Sequence, residues 1–226
     1  MKNIEFMNSI NPQDSSIILW VLIALGVNSA LNGWMIHSEK GRSFHYVVLF
    51  RVLGSIVLLI PCIFFLNLNY VIIKENQIII TTLIFLVLSL LCILFNATRK
   101  RSSKDKYNYE YLFHDSSNLN FSFYETISWI IYLLPYEFLL RGLLLPHYLI
   151  RYNLITAVLV NSGLYAFSHI QQGKREAIGA FIFGLILCLS TLISGNFWSA
   201  FLIHLVLALS NSFITRGNGQ LNEIKI

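Results

Sequence analysis

Seven apolar runs restrict what this chain can fold into more than any other feature of it. They cover residues 17–36, 46–66, 78–95, 121–150, 154–170, 177–193 and 197–214. A hydrocarbon core about 30 Å thick takes about 20 mainly apolar residues to cross as an α-helix. Backbone groups in lipid must be satisfied internally, so a run of this length reads as a helix. The predicted fold is all-α, a polytopic membrane bundle of about seven transmembrane helices. The fourth run exceeds one crossing and carries Pro135 near its middle, so one long bent helix and two short pieces both fit it.

Composition says what surrounds those helices. Soluble domains carry about 25% charged residues, whereas this chain of 226 has 12%, as 16 basic and 11 acidic side chains, against 56% hydrophobic ones. Its mean hydropathy is +0.65. Too little charge remains for a water-facing surface, and the apolar excess is expected to face lipid. The net charge of +5 does not point to nucleic acid, because the basic residues cluster in short breaks between apolar runs.

Those clusters orient the bundle. Lys and Arg in short loops favour the cytoplasm. With the 99–106 loop inside, so are Lys40, Arg42, Arg99, Lys100, Arg101, Lys104, Lys106, Lys174, Arg175, Arg216 and Lys225, while Lys2, Lys74 and Arg151 are outside. The expectation is an outer N-terminus, an inner C-terminus and a multi-pass protein of a prokaryotic cytoplasmic membrane. The first 16 residues lack the pattern of a cleaved signal peptide. Cys62, Cys92 and Cys188 are odd in number and lie inside apolar runs, which predicts buried thiols rather than disulfides.

No repeat and no dividing linker is visible. One membrane domain is expected: three helices and a basic cytoplasmic loop in 1–120, a second bundle in 121–214, and a polar, disordered tail in 215–226. Residues 96–120 read as a cytoplasmic connector. Gly179, Ala180 and Gly184 predict close helix contact in the sixth run.

Ionisable groups at membrane depth cost about 2.5 to 3.5 kcal/mol on insertion scales, so each needs a partner or a purpose. Arg51 lies near the start of its run and is expected to snorkel to the interface. His37, His45, His114 and His147 fit surface or interfacial places. Glu137 and Arg141, four apart, share a helix face, either as a neutralising pair or as part of a reactive centre. Glu137 precedes the turn near Tyr152 by 15 residues and His169 follows it by 17. At 1.5 Å per residue both lie about 23 to 26 Å from it, at nearly equal depth, so the two side chains are expected to meet. His204 fits less well, about 12 Å beyond its own turn. Asn211 shares its stripe seven residues on.

These residues carry a resemblance. Tyr136-Glu137-xxx-Arg141, then Tyr165-Ala166-Phe167-Ser168-His169, then His204-xxx-Ala208 with Asn211 beyond, resemble the CPBP intramembrane proteases, which include CAAX prenyl proteases, Abi proteins and bacteriocin-processing proteins. The likeness covers about residues 121–213. That family is marked by Glu-Glu-xxx-Arg, aromatic-xxx-His and His-xxx-Asn motifs. Here Tyr136 stands in place of the first glutamate and Ala208 in place of the last asparagine.

The resemblance implies an endopeptidase that hydrolyses a peptide bond of a membrane-associated protein or peptide. Glu137 and His169 would activate water, while His204 and Asn211 would stabilise the oxyanion, with Arg141 beside the carboxylate. Burial makes a carboxylate a stronger base when ionised, and the guanidinium one turn away keeps it charged. An inactive relative, as scaffold or immunity factor, is the alternative that Tyr136 and Ala208 leave open. A transporter is a weaker one, since no paired halves are visible. No His-Glu-xx-His string occurs, and although a three-ligand site from separate spans is conceivable, no metal or other cofactor is expected. The expected partners are the bilayer and the substrate.

Overall fold

The computed structural model describes residues 16–38, 44–65, 73–98 and 119–223. Every regular element among them is helical. Helix α1 spans Ser16–His37, α2 Phe44–Phe64 and α3 Glu75–Thr98. Helix α4, Leu119–Glu137, passes through a π-helical turn, Phe138–Leu144, directly into α5, Leu145–Arg151. Then follow α6 (Leu154–Ser168), a short 3-10 turn (Ile170–Gln172), α7 (Lys174–Ser194) and α8 (Trp198–Glu223).

Among the described residues, five stretches are long and apolar enough to cross a membrane: Ser16–His37, His45–Phe64, Glu75–Thr98, Ser122–Arg151 and Lys174–Ser194. Leu154–Ser168 and Trp198–Ile214 are apolar but shorter. They occupy the fifth and seventh predicted runs, so a membrane helix bundle is borne out while the count of seven crossings is not established. At 15 residues, α6 rises only about 22 Å. The fourth run is one continuous helical path rather than two pieces. Helix α8 continues through Glu223, where the sequence reading expects a disordered tail. The 99–106 loop, Lys2, Lys40, Arg42, His114 and Lys225 lie outside the described residues, as does most of the 96–120 connector.

Burial sorts the helices. Of the most apolar stretch of α4–α5, 72% is inside the protein, against 17% of α3, so the fourth run is the centre and α3 a lipid-facing wall. Helices α1 and α2 pair and press on α4, α6 pairs with α7, and α3 packs along α8. Apolar residues such as Ile79, Leu83 and Leu90 on α3 stay exposed, as a lipid solvent permits. Within lipid the cohesion comes from close packing and interhelical hydrogen bonds rather than from water exclusion.

Polar side chains mark the joints. Asn28 and Asn32 of α1 donate to Tyr132 Oη at 2.9 and 3.2 Å. Asn96 of α3 donates to Leu207 O at 3.0 Å and Ser210 Oγ at 2.7 Å on α8. Arg51 does not snorkel: it donates to Ser128 Oγ at 2.8 Å, stands 4.0 Å from Glu125 and lies 3.8 Å above the Trp129 ring. The acid on α4, not singled out in the sequence, supplies the partner that removes the need to reach water. His147, expected near a surface, is 1% exposed, because α5 continues the buried central path. The three cysteines are free and buried as predicted.

Small residues act at particular places. A Cβ on Gly184 would sit 3.1 Å from Ser162 Cα, which marks a close α6–α7 approach, whereas one on Gly179 would meet nothing within 4 Å. Gly195 ends α7 in the left-handed conformation, φ +71°, with its N–H on Thr191 O at 2.8 Å. A side chain there costs about 1–2 kcal/mol in backbone strain, and its Cβ would also meet Gln77 Nε2 at 2.6 Å. Gly195→Ala is therefore expected to lower the thermal unfolding midpoint in detergent by several degrees. Gly179→Ala, in an open helix interior, is expected to leave it unchanged or raise it.

Candidate active site

The site is assembled around the π turn. Here the Leu145 N–H reaches Leu140 O, five residues back. That wider spacing leaves room at the Leu140 carbonyl for a second donor, Asn161 Nδ2 of α6, at 2.5 Å. The Cys188 thiol of α7 donates in turn to Asn161 Oδ1 at 3.3 Å. A Cβ on Gly142 would stand 2.6 Å from the Phe138 ring, which is held edge-on against Phe197 at 5.1 Å. Glycine in the turn and an amide on the neighbouring helix thus make the π conformation tenable, and such turns concentrate at functional sites.

Glu137 closes α4 immediately before this turn, and Arg141 lies within it. Both are fully buried. Arg141 Nη1 stands 3.0 Å from Glu137 Oε2, the pairing that the four-residue spacing predicts. The contact is one of charge rather than a directed hydrogen bond: among the described residues Oε2 and all three guanidinium nitrogens lack a hydrogen-bond partner. The guanidinium also lies 4.7 Å over the Tyr165 ring.

The imidazole that meets Glu137 is His204, not His169. His204 Nδ1 and Glu137 Oε1 are 2.5 Å apart, across 67 residues of sequence. Depth counted from the α5–α6 turn says nothing about how α8 is offset against α4, and α8 lies directly along α4. His204 is 8% exposed, among the rings of Tyr165, Phe183 and Tyr136 at 5.6, 5.8 and 6.1 Å. A carboxylate only accepts, so Nδ1 is the donor in this pair. Nε2 faces Tyr165 Oη at 3.3 Å.

His169 stands one ring away, 4.6 Å from Tyr165 between centroids, and is half-buried. It caps α6. Its Nδ1 lies 2.9 Å from Tyr165 O and 3.1 Å from Ser168 Oγ, and the Ser168 hydroxyl also donates to Tyr165 O at 2.8 Å. The last turn of a helix leaves carbonyls without amide partners, and here side chains meet that need. A carbonyl can only accept, so His169 carries its proton on Nδ1 and presents an unprotonated Nε2 in its neutral form. Tyr136 Oη and Ser168 Oγ are 2.5 Å apart. Tyr165 therefore lies between the two histidines, 4.6 Å from the His169 ring and 5.6 Å from that of His204.

Asn211 lies further along α8. It is half-buried, about 10 Å along α8 from His204, next to the Ser210 that Asn96 holds. Asn161, Ser168 and the ring of Tyr165 were not singled out as site residues, although Tyr165 and Ser168 stand inside the aromatic-xxx-His string. An open apolar hollow of about 380 Å³ lies between α6 and α7, with Ala166, Phe167, Ile170, Ile178 and Phe181 in its walls. No group of three or more metal-ligating side chains converges among the described residues.

Glu137 and Arg141, on one helical path, thus stand against the His204 imidazole of α8, with His169 one ring away across Tyr165. Residues 119–210 match the family described as Rce1-like, the Type II CAAX prenyl endopeptidases of the CPBP group. The match covers nearly the stretch in which the sequence motifs lie, and it supports a protease-type hydrolase embedded in a membrane. No curated protein and no solved structure matches the chain.

Proposed function

We propose that this chain is an intramembrane endopeptidase hydrolysing a peptide bond of a membrane-associated protein or peptide, with Glu137, His169 and His204 at the reacting centre. The observation that carries this reading is the fully buried Glu137 carboxylate, bonded by an imidazole from another helix at 2.5 Å with a guanidinium 3.0 Å away. A pair present only for insertion would be expected to satisfy its donors. Arg141 instead keeps three buried nitrogens without hydrogen-bond partners among the described residues.

The contacts support a division of roles. Both oxygens of Glu137 are engaged, so it is suited to orient His204 and to balance charge that develops there. His169, with Nε2 unprotonated, takes a proton from water as the oxygen attacks the peptide carbonyl, and delivers it to the amine as the C–N bond breaks. A proton taken up on His204 Nε2 as charge develops, together with Arg141, would supply donors to the tetrahedral oxyanion.

Tyr136 and Ala208, in place of the resembled family's residues, favour the second reading, a scaffold or immunity protein without activity. Purified protein in lipid vesicles, given a panel of peptides that includes a prenylated CAAX peptide, decides between them by mass analysis. The expected result is one cut, lost in Glu137→Gln and insensitive to chelators. No cut in any peptide favours the scaffold, and chelator inhibition reversed by zinc favours a metal centre.

A further inference from the structure

In this chain a tyrosine stands beside the buried acid, and its hydroxyl leads away from that acid. Tyr136 is 2% exposed and Ser168 5%, and their oxygens are 2.5 Å apart. In the structure the Ser168 hydroxyl donates to Tyr165 O at 2.8 Å. Ser168 Oγ is therefore the acceptor from Tyr136, and the donor order runs from Tyr136 Oη–H to Ser168 Oγ–H to Tyr165 O. The His169 Nδ1–H converges on the same carbonyl at 2.9 Å and on Ser168 Oγ at 3.1 Å.

The serine hydroxyl can turn. Pointed at Tyr165 O, it leaves Nδ1 no choice but to donate. Pointed at Nδ1, it donates to the ring and moves the imidazole proton to Nε2, the nitrogen that has to be free to accept a proton from water. The hydroxyl of Tyr136 biases which of these occurs, because its donation occupies one lone pair of Ser168 Oγ and restricts the rotation that would carry the serine proton from the carbonyl to Nδ1.

We propose that Tyr136 is a positioning residue for His169: through Ser168 it holds the imidazole in the form with Nδ1 protonated and Nε2 open. Its meaning for catalysis rests on the hydrolase reading above, whereas the tautomer itself does not. Tyr136→Phe is the informative change, since it removes one oxygen and keeps the ring that stacks on Tyr132 at 5.9 Å and meets the His204 ring edge-on at 6.1 Å.

Nitrogen-15 magnetic resonance of histidine-labelled protein in lipid reads the tautomer directly, with His169→Gln for assignment. The expected result is a single form protonated on Nδ1 in the wild type, a mixture in Tyr136→Phe and Ser168→Ala, and the wild-type form restored in Ser168→Thr, which keeps the hydroxyl. In the cleavage assay kcat falls at least about tenfold in Tyr136→Phe and Ser168→Ala with KM unchanged, since a misplaced tautomer in a catalytic triad costs far more than that, and Ser168→Thr retains the rate. An unchanged His169 tautomer in Tyr136→Phe, or an unchanged kcat in a chain that cleaves, overturns the proposal. A wild type that cuts no peptide but shows the tautomer shift leaves the positioning in place and removes the hydrolase reading instead.

Discussion

Glu137→Gln is expected to lower peptide cleavage by about two to four orders of magnitude, the range in which a positioned acid–base system contributes, and to destabilise the protein as well. The two effects have separate causes. The amide can still accept from His204, so the ring stays near its place, but it carries no charge to support an imidazolium when the oxyanion forms. Meanwhile Arg141, fully buried and 3.0 Å from the carboxylate, loses its counter-ion. Removing one partner of a buried pair costs about 3–5 kcal/mol, whereas replacing both by apolar groups of similar volume is often neutral or stabilising. Glu137→Gln combined with Arg141→Met is therefore expected to recover the thermal midpoint in detergent while cleavage stays absent. Mass analysis of products beside a melting curve for each variant separates the two. If the double variant regains cleavage along with its fold, the carboxylate is a structural partner only.

The parts of this fold that can be read from sequence are those that depend on local composition. Apolar runs of 17 to 30 residues translate into helices because lipid allows little else, and the Glu137–Arg141 contact follows from two residues one turn apart. What depends on the offset between distant helices does not translate. The depth count puts His169 beside Glu137 and fits His204 less well, yet α8 is offset along α4 so that His204 takes the carboxylate. The π turn is hidden for a related reason: its carbonyl at Leu140 is satisfied by Asn161 on another helix, and nothing in 138–144 alone announces that partner. Arg51 shows the same limit, since its place near a helix end suggests an interfacial side chain while Glu125 and Ser128 on α4 hold it inside. Motif strings fare better than depth counting, because the aromatic-xxx-His string already contains Tyr165 and Ser168, the residues that fix the ring of His169.

His204→Gln is expected to reduce cleavage by about 10²–10³, the cost commonly seen when one donor to an oxyanion is removed, with a smaller effect on folding than Glu137→Gln has. The imidazole does two things that a glutamine of similar reach cannot combine. Its Nδ1 donates to Glu137 Oε1 at 2.5 Å while Nε2 stays 3.3 Å from Tyr165 Oη, so one rigid ring spans the distance from acid to tyrosine. An amide that keeps the bond to Glu137 turns its oxygen, an acceptor, toward the place where negative charge collects. The rings of Tyr136, Tyr165 and Phe183 around it keep water from substituting for the lost donor. Asn211 offers the contrast. About 10 Å further along α8, it is out of reach of the same oxygen, so Asn211→Ala is expected to leave kcat within about twofold of the wild type, far from the 10²–10³ that a true oxyanion donor is worth. Steady-state rates for the two variants decide which residue serves the oxyanion: a large loss in Asn211→Ala with little in His204→Gln would move that role two turns along α8 and leave His204 as a support for Glu137 alone.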